Sequence, residues 1–243
     1  MQIATVTPLP GQSRYAALAD ALRARIVAGE WPPGSALAAE QSLAADYGVA
    51  LGTMRRALDL LAELGLVERV HGRGTFVRLG LGGAPMLRFF RFGHHDGEVP
   101  ASRILARDTR AAPEPVARAL GLGPGEPVLR LERLRSLGAQ PVLLEEIWLP
   151  LPLFAALAEG DPAGWDDLLY PMFAQRCGVH VARAIDEIGF CAAAAAQAAV
   201  LGLPAGHPCA RVQRRAFDLG GRCVESRRSL GDAHAFHYTV AIT

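Results

Sequence analysis

The sequence lacks lysine, so arginine supplies all 25 side chains of its lysine-plus-arginine total. This bias fits a GC-rich coding sequence better than any particular function. Cysteine is scarce, and the spacing of its residues favours buried free thiols over a zinc site or a disulfide framework. The four cysteines are Cys177, Cys191, Cys209 and Cys223.

Long apolar runs are also missing. The most apolar stretch, from Phe190 to Leu203, is interrupted by Gln197 and Gly202 and is too short for a membrane span. The N-terminus lacks the basic start and the apolar core of a secretion signal. We therefore expect a cytoplasmic protein, whose 243 residues, 51% of them hydrophobic, can bury one or two ordinary cores.

Three helices are predicted in the first third of the chain. Apolar spacing predicts a first helix from about Ser13 to Ala28, a second that ends at Gly48, and a third from about Leu51 to Leu64. The third helix is expected to bury Met54, Ala57, Leu58 and Leu61. Its outward face then carries Gly52, Arg55, Arg56 and Asp59.

Two short alternating runs, 66–70 and 75–78, follow the third helix and flank the tip His71-Gly72-Arg73-Gly74-Thr75. They predict a β-hairpin, or wing, with Arg73 beside a minor groove or a phosphate. A helix-turn-helix followed by a wing is the outline of a DNA-reading module, in which the third helix enters a groove. A winged helix used only for protein contacts is the alternative.

Charge does not decide between these two hypotheses, because residues 1 to 80 hold eight arginines against seven acidic residues. Five of the arginines do lie between positions 55 and 78, where DNA would approach. The whole chain has a formal net charge of only +1, which argues against a protein that coats DNA regardless of sequence.

Residues 13–78 resemble the winged-helix domain of GntR-type bacterial transcription regulators in "VAGEWPPGSAL", "LAADYGVALGTMRRALDLLAELGLVER" and "GRGTFV". The resemblance implies DNA contacts from Gln41, Gly52, Thr53, Arg55, Arg56, His71, Gly72, Arg73, Gly74 and Thr75. The family usually has serine and arginine where this chain has Ala39 and Gln41, and again where it has Ala50 and Leu51. We therefore expect a changed operator or weaker binding.

An internal repeat follows a glycine-rich stretch. We interpret residues 1–78 as the first domain, 79–85 as a linker and 86–243 as the second domain. Within the second domain "LGLGPGEPV", which begins at Leu120, recurs as "LGLPAGHPC", which begins at Leu201. Helix, strand, turn and strand thus occur twice, which predicts an α+β fold with helices packed against one mainly antiparallel sheet.

Residues 86–243 resemble the UTRA effector-binding domain of the HutC-type branch of these regulators, which has a chorismate-lyase-like fold. The landmarks are "GEVPASRIL", "ALGLGPGEPVLRLERLR", "PVLLEEIWLP", "LLYPMF", "AVLGLPAGHP" and "VES", and they follow the family order. The resemblance implies a homodimer that forms through the second domain.

Arg133 and Arg135 are two residues apart on a predicted strand, so both side chains leave the same face of the sheet. Guanidinium groups match carboxylate and phosphate oxygens, so this pair predicts a clamp for a small polar or anionic molecule. By resemblance the ligand set is Arg133, Arg135, Glu145, Tyr170 and Glu225, to which we add Arg227 as a neighbour of Glu225. Alternatively, the arginines and glutamates only neutralise one another as an ion-pair lattice.

Two departures limit the choice of ligand. Members that bind phosphosugars usually have a serine where this chain has Leu168, and a short helix where residues 89–97 look like a loop or hairpin. A phosphate cradle is therefore in doubt. His94, His95 and Asp96 lack a second ligand group at suitable spacing, so we expect no metal ion, and nothing predicts a cofactor.

The favoured hypothesis is a ligand-responsive transcription regulator, a repressor in most members of the resembled family, that binds a two-fold symmetric operator as a dimer. A chorismate-lyase-like enzyme acting on a small carboxylic acid is the alternative, because the arginines and glutamates could anchor such a substrate and donate a proton. No nucleophile with an adjacent base is recognisable, which favours binding over catalysis.

Overall fold

In the computed structural model the chain divides into two units, Met1–Gly80 and Leu81–Thr243. The structure describes residues 12–78, 90–92 and 99–238. The predicted linker 79–85 and the cluster of His94, His95 and Asp96 lie outside the described residues. None of the helices in the described ranges combines the length and the hydropathy that a bilayer span requires.

The described part of the first unit contains three helices and a wing, in the predicted order. The helices are α1 (Arg14–Val27), α2 (Glu40–Asp46) and α3 (Leu51–Glu63), and the wing pairs β1 (Val67–Val70) with β2 (Gly74–Val77) in antiparallel fashion. As predicted, α3 buries Met54, Ala57, Leu58 and Leu61. The chain before α2 ties the wing to the helices, because the Leu37 amide donates a 2.8 Å hydrogen bond to the Thr75 carbonyl.

The starts of α2 and α3 lack side-chain caps. Their N-cap residues are Ala39 and Ala50, and neither forms a side-chain capping bond, whereas Ser13 caps α1 by accepting from the Ala16 amide at 3.4 Å. A serine oxygen at an N-cap satisfies one of the amide groups that a helix start leaves unpaired. Two of the four positions that depart from the GntR pattern, Ala39 and Ala50, are therefore helix N-caps.

The second unit is built around a six-stranded antiparallel sheet in the order β4-β5-β6-β9-β8-β7. The first half comprises β4 (Ala101–Ala111), α4 (Glu114–Leu120), β5 (Pro127–Leu137) and β6 (Gln140–Pro150). The helices α5 (Leu151–Phe154) and α6 (Leu169–Cys177) connect the halves. The second half comprises β7 (Val181–Ala192), α7 (Ala195–Leu201), β8 (Pro208–Asp218) and β9 (Cys223–Asp232).

The two halves are structural copies, which confirms the repeat seen in the sequence. Each contributes strand, helix, strand, strand, and the innermost strands β6 and β9 pair with each other. Gly121 ends α4 at φ 67° and Gly202 ends α7 at φ 68°, a left-handed conformation that glycine adopts without strain. An approximate two-fold axis therefore passes between β6 and β9.

The sheet has two differently covered faces. The face that carries Arg133, Glu145 and Arg227, here called the arginine face, is packed over one end by α5 and α6 through Phe154 and Phe173. The opposite face is covered by α4 and α7. A short ribbon of β3 (Phe90–Phe92) and β10 (Phe236–Tyr238) completes the described part of the unit.

Restoring the caps should stabilise the first unit. We predict that Ala39→Ser and Ala50→Ser each raise its free energy of unfolding by about 1 kcal/mol, because each serine can bond a free amide. Ala45→Ser, at an exposed position inside α2, is the control and should lower it by about 0.5 kcal/mol. Urea unfolding measures the free energy of unfolding of all three variants. Equal changes for Ala39→Ser, Ala50→Ser and Ala45→Ser would contradict the assignment of Ala39 and Ala50 as helix caps.

Candidate functional site

The sheet register brings the predicted ligand residues together on the arginine face. Arg133 lies opposite Glu145 on β5 and β6, and Glu145 lies opposite Ser229 on β6 and β9. The side chains are buried, with residue exposures of 1% for Arg133, 2% for Glu145 and 0% for Glu225. Charged residues are almost never fully buried unless they are paired, so their partners decide what this site can do.

Glu145 is the centre of the cluster. Its carboxylate accepts hydrogen bonds from Arg133 Nε at 2.6 Å, from Arg227 Nη1 at 3.2 Å and from Ser229 Oγ at 3.2 Å. Burial opposes the ionisation of Glu145, but the charges of Arg133 and Arg227 outweigh it and hold the pKa at about 2. Glu145 is therefore a fixed negative charge at neutral pH.

Arg227 links Glu145 to a second acidic group. Its Nη2 donates to Glu225 at 2.7 Å, and Glu225 also accepts from the Tyr170 hydroxyl at 3.1 Å. The guanidinium carbon of Arg227 lies 5.5 Å from the centre of the Tyr170 ring. Burial and the Glu225 carboxylate raise the pKa of Tyr170, so its hydroxyl remains a hydrogen-bond donor. Tyr170 therefore joins the cluster through its hydroxyl as well as packing in the core.

Arg214 and Asp186 also belong to the cluster, and neither is among the ligand residues predicted from the sequence. Arg214 donates through Nε and Nη2 to the two carboxylate oxygens of Asp186, each at 2.6 Å. Arg214 follows Leu201 by thirteen residues, as Arg133 follows Leu120, so it occupies the position of Arg133 in the second copy. The repeat was the signal that could have identified it.

Ion pairs leave part of the positive charge in this cluster unpaired, and some donors have no acceptor. Three of the four buried arginines form ion pairs with Glu145, Glu225 and Asp186. The fourth, Arg135, feels the charge of Asp167 but forms no ion pair among the described residues, and it donates instead to the Pro100 carbonyl at 2.8 Å. Among the described residues, Arg133 Nη1, Arg135 Nε and Arg227 Nε are buried without a hydrogen-bond partner. Burial and the neighbouring Arg133 charge lower the pKa of Arg135 to about 10, so the group stays charged at neutral pH at a cost in free energy.

The lattice hypothesis is thus confirmed in part. Arg133 pairs with Glu145 and Arg227 with both glutamates, as a lattice requires. The ion pairs do not neutralise the cluster, because Arg135 forms none with the described residues. An oxyanion beside the unpaired guanidinium donors would balance the charge and supply the missing acceptors.

The predicted DNA contacts lie mostly on the surface of the first unit. Gln41, Gly52, Arg55, Arg56, His71, Gly72, Arg73 and Gly74 are exposed, and Thr53 is half-buried. Thr75 is a correction: the residue is only 7% exposed, because alternation along β2 turns Thr75 and Val77 towards the core. Its side chain therefore cannot contact DNA in this conformation.

Acidic residues restrain part of this surface. Glu40 Oε2 accepts from Arg55 Nε at 2.8 Å, and Glu40 Oε1 lies 3.0 Å from Arg69 Nη2. The Arg55 side chain nevertheless remains 58% exposed. Among the described residues Arg56 and Arg73 form no ion pair, so their charges are available to a polyanion.

Loss of the central carboxylate should destabilise the second unit. We predict that Glu145→Gln lowers its free energy of unfolding at pH 7 by about 3–5 kcal/mol, because it leaves buried arginines without their counter-charge. The folded pKa of Glu145, about 2, lies below the ordinary 4.5. Its stabilising contribution is therefore present above about pH 4.5 and is lost as the pH falls towards 2.

Urea unfolding at pH 7 and at about pH 3 measures this contribution. The difference between wild type and Glu145→Gln should shrink at the lower pH. Glu187→Gln is the control, since this side chain is 70% exposed, and it should change stability by less than about 1 kcal/mol. An equally small effect of Glu145→Gln would contradict the central role of Glu145.

Comparison with known proteins agrees with both units. Residues 14–77 match the family "Bacterial regulatory proteins, gntR family", and residues 95–237 match the UTRA domain. The chain is 27% identical to the HTH-type transcriptional repressor NagR of Bacillus subtilis, over 98% of each chain. It is 32% identical to the mannosyl-D-glycerate transport/metabolism system repressor MngR of Escherichia coli, over 59% of this chain and 61% of that protein.

The fold agrees as well. The crystal structure of PhnF from Mycobacterium smegmatis is 29% identical and superimposes with a TM-score of 0.54, covering 92% of this chain and 98% of that one. These relatives are transcription regulators, so the enzyme alternative is not favoured. The chain is a ligand-responsive, DNA-binding transcription regulator, and it belongs to the GntR family, in the HutC-type branch that carries a UTRA domain.

Proposed function

We propose that this regulator is a homodimeric repressor that binds a two-fold symmetric operator and is released when a small anionic metabolite occupies the arginine face. The observation that carries the proposal is the buried arginine cluster with its three unpaired guanidinium donors. A regulator that binds operators in a bacterium would act in the cytoplasm.

The DNA interface proposed here consists of the outward face of α3 and the tip of the wing. Arg55 is assigned to base edges, because it projects from α3 and arginine can bond guanine with two donors. Arg73 is assigned to the backbone or the minor groove, because it is exposed at the tip of the wing. Glu40 holds Arg55 in place until DNA competes for the guanidinium.

The dimer is proposed to form through the sheet of the second unit. Strand β7 is an edge of this sheet, so one side of its backbone has no neighbouring strand among the described residues. It also exposes Ile185, Ile188 and Phe190, the last at 67%. An edge strand with exposed apolar side chains is a template for pairing with another chain, and a second copy would cover it.

The effector is proposed to be a small hydroxylated carboxylate. Guanidinium groups bind carboxylates and phosphates alike, but the position of the phosphosugar-binding serine is Leu168, the N-cap of α6, which forms no side-chain capping bond. The name of the relative MngR, the mannosyl-D-glycerate transport/metabolism system repressor, contains glycerate, which is a hydroxylated carboxylate and agrees with this choice. Glu145, Glu225 and Tyr170 provide polar partners for ligand hydroxyl groups.

Release from DNA requires that the effector bind the two states unequally. A ligand shifts DNA affinity only by the difference between its affinities for the DNA-competent and the DNA-incompetent arrangement. We propose that the linker lets the two units rearrange on ligand binding.

Arg55→Ala should weaken operator binding about 5- to 150-fold, because a lost base contact costs about 1–3 kcal/mol. Arg73→Ala should weaken the binding of operator DNA and of unrelated DNA to the same extent. It should also reduce the slope of log affinity against log salt concentration by about 1. Fluorescence anisotropy with a duplex from the promoter of the chain's own gene measures both effects.

The control is Arg118→Ala in the second unit, which removes the same charge from a side chain that is 76% exposed. It should leave DNA affinity unchanged. Two chains should bind each operator duplex. Equal losses for Arg55→Ala and Arg118→Ala would contradict the interface, and one chain per duplex would contradict the dimer.

Arg135→Gln should abolish the release from operator DNA on addition of ligand, while operator binding without ligand is retained.

A thermal-shift screen identifies the ligand. It compares sugar acids and sugar phosphates with the uncharged sugars from which they derive, and an anionic compound that binds should raise the melting temperature as its concentration increases. The control is Arg228→Gln, on the opposite face and 47% exposed in its side chain. A full response in Arg135→Gln, or an equal response to neutral parents, would overturn the assignment.

A further inference from the structure

A second cluster of polar side chains lies away from the arginine face, where β8 begins and β9 ends. It consists of His207, Asp232 and His234, each of which offers one ligand atom, and these atoms all lie within 4.8 Å of one another. His207 Nε2 is 2.8 Å from Asp232 Oδ1, and the two imidazole rings are 5.4 Å apart. Their proximity depends on the tertiary fold, because His207 precedes β8 and the other two residues close β9.

The local backbone fixes this arrangement. Asp232 ends β9 and caps the following 3₁₀ turn, Ala233–Ala235, by accepting from the His234 amide at 2.9 Å. His207 is held in the turn before β8, where its carbonyl accepts from the Ala193 amide at 2.9 Å. These two hydrogen bonds therefore involve all three residues of the cluster.

The cluster is specific to the second copy of the repeat. His207 follows Leu201 by six residues, and the residue six positions after Leu120 is Glu126. Asp232 is the last residue of β9, whereas the corresponding strand β6 ends at Pro150, which has no ligand atom in its side chain. The two-fold relation of the fold therefore does not require this combination of residues.

We propose that His207, Asp232 and His234 bind a divalent transition-metal ion, with Zn²⁺ as the best match. Two imidazoles and one carboxylate are borderline ligands that suit Zn²⁺ better than Ca²⁺ or Mg²⁺. Bonds of about 2.0–2.2 Å place neighbouring ligand atoms roughly 3 Å apart, close to the spacing of His207 and Asp232. Side-chain exposures of 20% for His207 and 32% for Asp232 leave access for the ion and a completing water.

The ion would brace one end of the second unit. The turn that carries His234 leads directly into β10, and β10 pairs with β3, the first strand described after the linker. Binding of Zn²⁺ would join this ribbon to the start of β8 through three ligands. The proposal does not depend on the identity of the effector.

Isothermal titration of the EDTA-treated full-length protein with ZnCl₂ tests the proposal. One Zn²⁺ per chain is expected, and His207→Ala and His234→Ala should each weaken the affinity at least about tenfold by removing a ligand. His234 is exposed, so His234→Ala should fold normally, and its melting temperature without metal should equal that of the wild type.

Two controls separate this cluster from other histidines. The double variant His94→Ala/His95→Ala removes two histidines that are consecutive in the sequence, and His71→Ala removes an exposed histidine of the first unit. Both should keep the wild-type affinity for Zn²⁺. Absence of Zn²⁺ binding in the wild type, full affinity in His207→Ala and His234→Ala, or loss of binding in His94→Ala/His95→Ala would each overturn the proposal.

Discussion

The effector unit depends on buried positive charge that the sheet holds in its interior and that ion pairs only partly neutralise. Arg133, Arg214 and Arg227 come from three strands, and the antiparallel register places them on one face beside Glu145. Burying a charge is costly unless it is paired, and the acids present do not pair every guanidinium donor. We propose that an anionic ligand supplies the missing acceptors, so that the same buried charge that the fold tolerates also binds the effector.

The repeat explains how one sheet can concentrate so much charge. Arg133 and Arg214 are equivalent in the two copies, but Arg133 is neutralised by Glu145 on β6, whereas Arg214 is neutralised by Asp186 on β7. The copies therefore share a backbone plan and differ in the strand that supplies the counter-charge. The histidine and aspartate cluster of the second copy is a further departure from symmetry.

Much of this architecture could be predicted from local patterns. Apolar spacing predicted α1 and α3, and alternation placed Arg133 and Arg135 on one face, because both patterns are set by the geometry of a single element. Arg214 was missed although its place in the repeat indicates it. Asp186 and Ser229 were missed because their roles depend on strand pairings that local spacing does not specify. Thr75 was wrongly assigned to the DNA surface. The resemblance indicates that Thr75 lies in the wing but not which way its side chain points, and the packing of β2 turns that side chain towards the core.

Calorimetry with a matched pair of compounds tests whether the buried arginine face requires an anion. The pair is a sugar acid found by screening and the neutral sugar alcohol with the same hydroxyl groups. We expect the acid to bind once per chain and the alcohol to bind at least about a hundredfold more weakly, because the alcohol cannot form charge-assisted hydrogen bonds with the arginines. Equal affinities for the two compounds would contradict it.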